Sequence, residues 1–305
     1  MYNDQYTMTL SIIIVSYNTK ELTIQAIDSV LQSTLQDKEI IVVDNNSTDG
    51  SVEALKKKFG KKITLIERKD NGGFSKANND GIKIATGEYI LLLNSDTIVP
   101  QDALKKMTQF LDENPSYGVI SSRLLNADGS YQPQGGALPN LLNIKAWWLW
   151  PLPGQIPFVD AYQNATNLSE SSEAIVARGW VGGTAMMIRT EVIEKVGLLD
   201  EHIFMYAEDI ELCFRVRQAH FEIGIHTRSE ITHIGSASGS SKNAKLGEIR
   251  GLLYFFKIHK PSWQLPLLKL IIFSGALLRC ILFGILRGSS DARSLYSSIL
   301  EISMK

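Results

Sequence analysis

Residues 88–97 read EYILLLNSDT. Five side chains from Tyr89 to Leu93 form an unbroken apolar run, and the chain then turns to Asn94-Ser95-Asp96-Thr97. A run without alternation is what a strand covered on both faces looks like. Three similar runs precede it, LSIIIV at 10–15, EIIVV at 39–43 and KITLI at 62–66. Helical spacing lies between them. Leu22, Ala26, Ile27, Val30 and Leu31 fall on one face within 19–32, and further helical patterns occupy 51–59 and 74–86. Strands alternating with helices predict a Rossmann-like, mostly parallel α/β sheet flanked by helices. Ligands of such open sheets bind beyond the carboxyl ends of the strands. The polar cluster 94–96 is where that rule puts a site.

Two other strands end the same way, the first in Ser16-Tyr17-Asn18 and the second in VDNNSTDGS at 43–51. Asp44, Asn46, Ser47 and Asp49 are also good turn and cap residues, so one such ending carries little. Three endings on one sheet edge point to a binding site.

The bulk composition narrows the classes. The 305 residues are 44% hydrophobic and 21% charged, which suits a globular core and argues against disorder. A net charge of −1 gives no basic field, so no nucleic-acid partner is expected. Cys213 and Cys280 are the two cysteines, without metal-ligand spacing, and a reducing compartment is expected. The opening MYNDQYTMTL lacks the charged-then-apolar layout of a signal peptide.

From about 115 to 180 the alternation breaks. WWLWPLPGQIPF (147–158) and NATNLSESSE (164–173) read as a long loop region, and loops of that length are usually functional. A strand and helix are expected again in GWVGGTAMMIRTEVIEKVGLLDE. The chain end differs. LPLLKLIIFSGALLRCILFGILR (265–287) is strongly apolar, but Lys269, Arg279 and Arg287 interrupt it before any uncharged stretch reaches the ~18 residues of a spanning helix. That pattern predicts an interfacial helix at a membrane surface, with a core helix or dimer contact as the alternative.

Four constellations could carry chemistry. Asp96 at a strand end beside Asn94 could hold Mg²⁺ or Mn²⁺, which one or two carboxylates often share with substrate phosphates. A helix cap would explain Asp96 equally well. In FMYAEDIELCFRVRQAHFEIGI (204–225), Glu208 and Asp209 open a helix. Helical geometry puts Asp209 with Leu212, Cys213 and Val216, and Glu208 with Glu211 and Arg215. A carboxylate on an apolar face needs a partner or a task, and general base is one such task. His233, in SEITHIGSASGSS, could complete a metal shell with Asp96. In NGGFSKANNDGI (71–82), Gly72 and Gly73 permit close backbone approach, and Lys76 with helix-start amides could meet phosphate. Neither GxxxxGK[ST] nor GxGxxG occurs, which removes the nucleotide-binding classes that need them.

Together these stretches resemble the family 2 glycosyltransferases of GT-A fold, most of all bacterial rhamnosyltransferase-type members that build surface polysaccharides. The matching pieces are IIIVSYN, IIVVDNNSTDGS, NGGFSKANNDGI, YILLLNSDT, GWVGGTAMMIR, LDEHIFMYAEDIELCFR and ITHIGSAS, in family order over roughly 10–240. The resemblance implies a GT-A domain at 1–240, with a nucleotide-sugar half at 1–100 and an acceptor half at 101–240. Residues 241–305 then form a C-terminal apolar helical extension at the membrane. Asp44 resembles the carboxylate that contacts the donor nucleoside, and Ser16, Asn18, Asn46, Gly73 and Lys76 belong to the same donor site. Asn94-Ser95-Asp96 resembles a DXD variant with Asn94 in place of the first carboxylate, Asp96 being the metal ligand. His233 resembles the distal ligand, and Asp209, with Glu208 beside it, the catalytic base. Trp180 and Gly183 resemble the wall near sugar and acceptor.

The activity so implied is inverting, Mg²⁺- or Mn²⁺-dependent transfer of a sugar from a nucleoside diphosphate to a glycan or lipid-linked hydroxyl. The implied donor is dTDP-rhamnose or a UDP-sugar. The implied location is cytoplasmic, peripheral on the inner face of the cell membrane through 261–287. A catalytically inactive sugar-nucleotide-binding or scaffold protein is the alternative from another class. A nucleotidyltransferase would need a Gly-rich N-terminal loop with Arg and Lys, which 10–20 lacks.

Overall fold

The computed structural model describes residues 8–149, 175–235 and 241–305. In chain order the first elements are β1 (Met8–Ser16), α1 (Lys20–Leu31), β2 (Lys38–Asp44), α2 (Ser51–Phe59), β3 (Thr64–Glu67), α3 (Gly73–Ile82) and β4 (Gly87–Asn94). Then come β5 (Thr97–Ile98), α4 (Ala103–Glu113), β6 (Tyr117–Leu125), α5 (Leu141–Leu149), β7 (Ile175–Ala177), β8 (Ala185–Arg189), α6 (Thr190–Val196), α7 (Glu208–Gln218) and β9 (Glu222–His233). The chain closes with α8 (Ser241–His259), α9 (Gln264–Arg279) continued by π-helical turns at Cys280–Leu286, and α10 (Ser290–Met304).

The chain divides into two compact units. The first holds a sheet ordered β3-β2-β1-β4-β8-β6-β9-β5, with β7 on β9. Its β3-β2-β1-β4 half is parallel, as the alternation of runs and helices predicts. Strand β8 pairs antiparallel with both β4 and β6, and β6 returns to parallel pairing with β9. Both faces of the parallel half are covered. Leu10, Ile12, Ile14, Ile40, Val42, Leu91 and Leu93 enter one core with Ile27 and Val30 of α1 and Leu104 and Met107 of α4. The opposite parity is as buried, and Gly81 of α3 lies so close to Ile13 that a Cβ there would stand 2.6 Å from it. Burial on two sides is why these strands do not alternate.

The expected break over 115–180 is only partly found. Strand β6 crosses Tyr117–Leu125, α5 takes in Trp147 and Trp148, and β7 ends at Ala177. Their signals are short or apolar all round, so periodicity alone did not separate them from loop. The rest of the expected loop, at 150–174, lies outside the described residues. The second unit groups α5 with α8, α9 and α10, and Met205–Ala207 belongs to it.

Candidate active site

The carboxyl ends of β1, β2 and β4 carry the polar endings read from the sequence. At the end of β1 the Ser16 hydroxyl is wholly buried and shared with Thr23 at 2.9 Å and Thr19 at 3.4 Å, and Thr19 reaches Ser95 at 3.1 Å. This hydroxyl cluster ties β1 to the 94–96 turn, so Ser16 is engaged in holding the site's floor. Asn18 takes φ +53°, accepts the Thr48 amide at 2.8 Å and gives its own amide to Ser47. Exposed Asn46 takes φ +71° in the same loop. Burial opposes ionisation of Asp49, but the Ser51 hydroxyl and the amides of Lys20 and Ser51 hold its carboxyl below the usual range.

Asp44 is the most informative member of this group. It is 1% exposed, and its Oδ2 accepts the Ser47 amide at 2.8 Å. Among the described residues nothing hydrogen-bonds its Oδ1. A buried carboxylate oxygen left without a partner is costly, and a polar ligand group would satisfy it.

The helix-start amides of α3 have hydrogen-bond partners within the chain. Gly72 donates to Asn45, Gly73 to Asn71 and Phe74 to the Phe204 carbonyl, at 3.1, 3.0 and 2.7 Å. Asn45 Nδ2 in turn donates to Asn71 Oδ1 at 2.8 Å, which joins the two asparagines beside this turn. Lys76 joins Asp70 at 4.0 Å in a cluster where Arg68 also pairs with Asp70 and Asp80. Gly73 has the expected conformational demand, with φ +84° and no room for a Cβ beside the Phe204 carbonyl oxygen.

Asp96 and His233 meet. Asp96 Oδ1 lies 3.3 Å from His233 Nε2, on side chains 7% and 17% exposed. The short β5 makes this contact: Thr97 and Ile98 pair antiparallel with His233 and Thr232, and the Ile234 amide donates to the Asp96 carbonyl at 2.9 Å. His233 Nδ1 lies 2.7 Å from Gln132 Oε1, a partner that nothing in the sequence signalled. Asn94 and Ser95 precede Asp96, and the Asn94 amide donates to the Thr184 carbonyl at 2.9 Å. Among the described residues no group of three His, Cys, Asp or Glu side chains is gathered for a metal. One carboxylate and one imidazole suit a divalent cation that completes its shell with substrate oxygens and water.

The helical-face expectation for Glu208 and Asp209 is reversed. Glu208 and Glu211 are 6% and 2% exposed, and Asp209 is half-buried. Arg215 explains the inversion. It pairs with Glu211 at 2.6 Å and donates to the carbonyls of Val196, Gly197 and Leu198, so the polar stripe of α7 is turned inward against the turn after α6. Asp209 is therefore the accessible carboxylate. Its Oδ1 accepts the Ile210 amide and its Oδ2 lies 3.3 Å from the Gly183 amide. A Cβ on Gly183 would stand in ordinary contact with Phe74 at 3.4 Å and Asp209 at 3.9 Å, so Gly183 lies beside both. Trp180 is buried three residues earlier, its carbonyl closing on Gly135. Tyr206 and Ala207 both take positive φ, +71° and +80°, just before α7. Sequence reading did not reach them or Gln132, because backbone strain and amide partners leave no periodic trace.

A mixed sheet with these endings is a GT-A fold. The protein-family model described as glycosyl transferase family 2 matches residues 11–165. The chain belongs to glycosyl transferase family 2, a family of sugar-transferring enzymes. It is 31% identical over 70% of its length to the low-salt glycan biosynthesis hexosyltransferase Agl10 of Haloferax volcanii, 64% of which is covered. It is 23% identical over 86% of its length to the N-acetylglucosaminyl-diphospho-decaprenol L-rhamnosyltransferase of Mycobacterium tuberculosis, 88% of which is covered. A mannosyltransferase of Pyrobaculum calidifontis, solved with GDP-Man and Mn²⁺, has a similar fold at TM-score 0.58 and 15% identity, over 98% of this chain and 81% of that one. The chain spans less than two thirds of the length of several curated relatives it matches, from 18% to 64%.

Proposed function

We propose that this chain transfers a sugar, with inversion, from a nucleoside diphosphate donor to a hydroxyl of a glycan or lipid-linked acceptor. The observation that carries the reading is the meeting of Asp96 and His233, distant in sequence, beside the ends of the parallel strands. Their donor set fits Mg²⁺ or Mn²⁺, and the neighbouring fold solved with GDP-Man and Mn²⁺ is consistent with it. Such a cation, when bound, neutralises the diphosphate and makes it a better leaving group.

The chain's own residues have the following parts. Asp44 receives a polar group of the donor nucleoside on its unsatisfied Oδ1, with Asn18, Asn46 and Ser16 shaping the loop around it. Asn94, Ser95 and Asp96 face the diphosphate side, with Gly73 and the Lys76 ammonium on α3. Asp209 takes the proton of the acceptor hydroxyl as that oxygen attacks the anomeric carbon. The carbon–oxygen bond to the diphosphate breaks in the same displacement, which inverts the centre. Glu208, which is buried, supports the start of α7. Gly183 and Trp180 form the wall of the sugar site. The mycobacterial relative acts on a decaprenol-linked sugar by name, which favours dTDP-rhamnose as donor and a lipid-linked acceptor here, with UDP-sugars as the second donor class.

The second unit supports action at the inner face of a membrane. Residues 264–286 are long and apolar enough to cross one by length and composition, and most of them are not buried. Residues 241–305 carry ten Lys or Arg against three Asp or Glu, which favours lying on an anionic surface through 261–287. Leu267, Leu270, Ile281 and Ile285 are exposed there. An open groove of about 500 Å³ between α5 and α9 is lined by Leu142, Leu149, Leu270 and Ile271, with Lys145 as its cation. Of the interrupting cations, Arg279 is not available to headgroups, because it holds the Trp147 and Trp148 carbonyls of α5.

A transfer assay with purified chain, a panel of dTDP- and UDP-sugars and excess chelator tests the reading. Product formation that stops with chelator and returns with Mn²⁺ or Mg²⁺ supports it, and undiminished turnover in chelator contradicts it.

A further inference from the structure

The Asn126–Gln132 turn carries a chain of hydrogen bonds whose direction can be assigned without ambiguity. It starts at Asp128, whose carboxyl is held below the usual range by the Ser130 hydroxyl and amide. An ionised carboxylate only accepts. Ser130 Oγ lies 2.6 Å from Asp128 Oδ1, so Ser130 must donate its one proton there. That leaves Ser130 Oγ with lone pairs alone for its other neighbour, Asn126 at 2.9 Å, so Asn126 must present Nδ2 to it. Asn126 Oδ1 is then the acceptor that faces Gln132, and Gln132 Nε2 donates to it at 2.9 Å. Gln132 is left with Oε1 toward His233 Nδ1 at 2.7 Å. In a neutral imidazole the proton therefore sits on Nδ1, and Nε2 carries a bare lone pair.

That lone pair faces Asp96 Oδ1 at 3.3 Å. Two acceptors at this separation repel unless a cation lies beside both. The alternative tautomer would let Nε2–H donate to Asp96, closing the pair on itself. The backbone holds the turn that carries these side chains. Gly129, with φ +82°, closes the turn, the Asn126 and Ser130 main chains pair, and the Gln132 amide donates to the Leu124 carbonyl at 2.8 Å.

We propose that Gln132, oriented by Asn126 and Ser130, is a positioning residue that holds His233 in the Nδ1–H tautomer and so keeps Nε2 open as a ligand for a divalent cation shared with Asp96. The inference rests on the reading of His233 as a metal ligand. Groups that orient a ligating histidine through its other nitrogen typically change metal affinity 10–100-fold when removed.

Two readouts on the full-length chain test it. Nitrogen-15 NMR of the histidine rings reads the tautomer without metal or turnover, and Mn²⁺ titration followed by EPR, with dTDP or UDP present, reads affinity. Wild type should show His233 as Nδ1–H. Gln132→Leu should shift it toward Nε2–H and raise the Mn²⁺ dissociation constant about 10–100-fold. Gln132→Glu keeps an acceptor on Nδ1 and should restore both to near the wild-type values. An Nε2–H tautomer in wild type overturns the inference, and this holds even if the leucine variant does not fold. Unchanged tautomer and affinity in a folded Gln132→Leu chain also overturn it, while leaving His233 a ligand. If the tautomer responds to Gln132 as stated but wild type binds no Mn²⁺, the positioning stands and the ligand role of His233 falls.

Discussion

His226 and His233 lie on one strand, β9, with different surroundings. His226 is 4% exposed, stacks on Phe110 at 5.0 Å and bonds Ser229, and burial with Arg228 and Lys106 nearby pushes its pKa down to about 4. The unfolded chain takes up a proton near pH 6.5 while the folded chain resists until about pH 4, so this contribution to stability is complete above 6.5 and is lost as pH falls. Urea unfolding should show a loss of about 2 kcal/mol between pH 7 and pH 5 that His226→Gln flattens; equal slopes in the two proteins contradict it. Asp209 makes the second residue-scale prediction. Asp209→Asn should lower transfer by at least about 100-fold and leave donor affinity nearly unchanged, as loss of a general base requires. Full activity in that variant removes Asp209 from the reaction. Taken singly, Asp96, Asp209 and His233 each had a structural explanation, and the family resemblance of the surrounding motifs is what singled them out. Face geometry alone misplaced Glu208, because it assumed that the charged stripe of α7 faces solvent, whereas Arg215 carries that stripe into carbonyl-rich surroundings.

Among the elements, the parallel half of the sheet was legible because each strand is buried on both faces and each crossover is helical. The far half was not. Strands β5 and β7 have two and three residues, too few for any periodic signal. The short β5 is nevertheless the element that brings Asp96 to His233. The turn into α3 is equally local and equally demanding. Gly73→Ala puts a Cβ against the Phe204 carbonyl at a positive φ. It should cost about 1–3 kcal/mol in chemical denaturation through strain at that backbone position. An unchanged denaturation midpoint means that Phe204 yields and the contact is not rigid.

At the scale of the whole molecule, charge is divided. The net of −1 conceals 21 Lys or Arg against 29 Asp or Glu in residues 1–240, and ten against three in 241–305. Composition read over the full chain hid this asymmetry, although it was available in the sequence. Full-length protein should float with vesicles containing anionic lipid, bind neutral phosphatidylcholine vesicles several-fold less, and release as salt rises past the screening range. Equal partitioning onto both vesicle types would remove the electrostatic part of the membrane reading.

The central claim is that Asp96 and His233 together hold a divalent cation at the donor diphosphate, and Mn²⁺ binding followed by EPR in the presence of a nucleoside diphosphate tests it most directly. The account predicts that wild-type protein depletes the free-Mn²⁺ signal and that Asp96→Asn and His233→Ala each weaken binding by at least about tenfold. Equal Mn²⁺ affinity in all three proteins would contradict it.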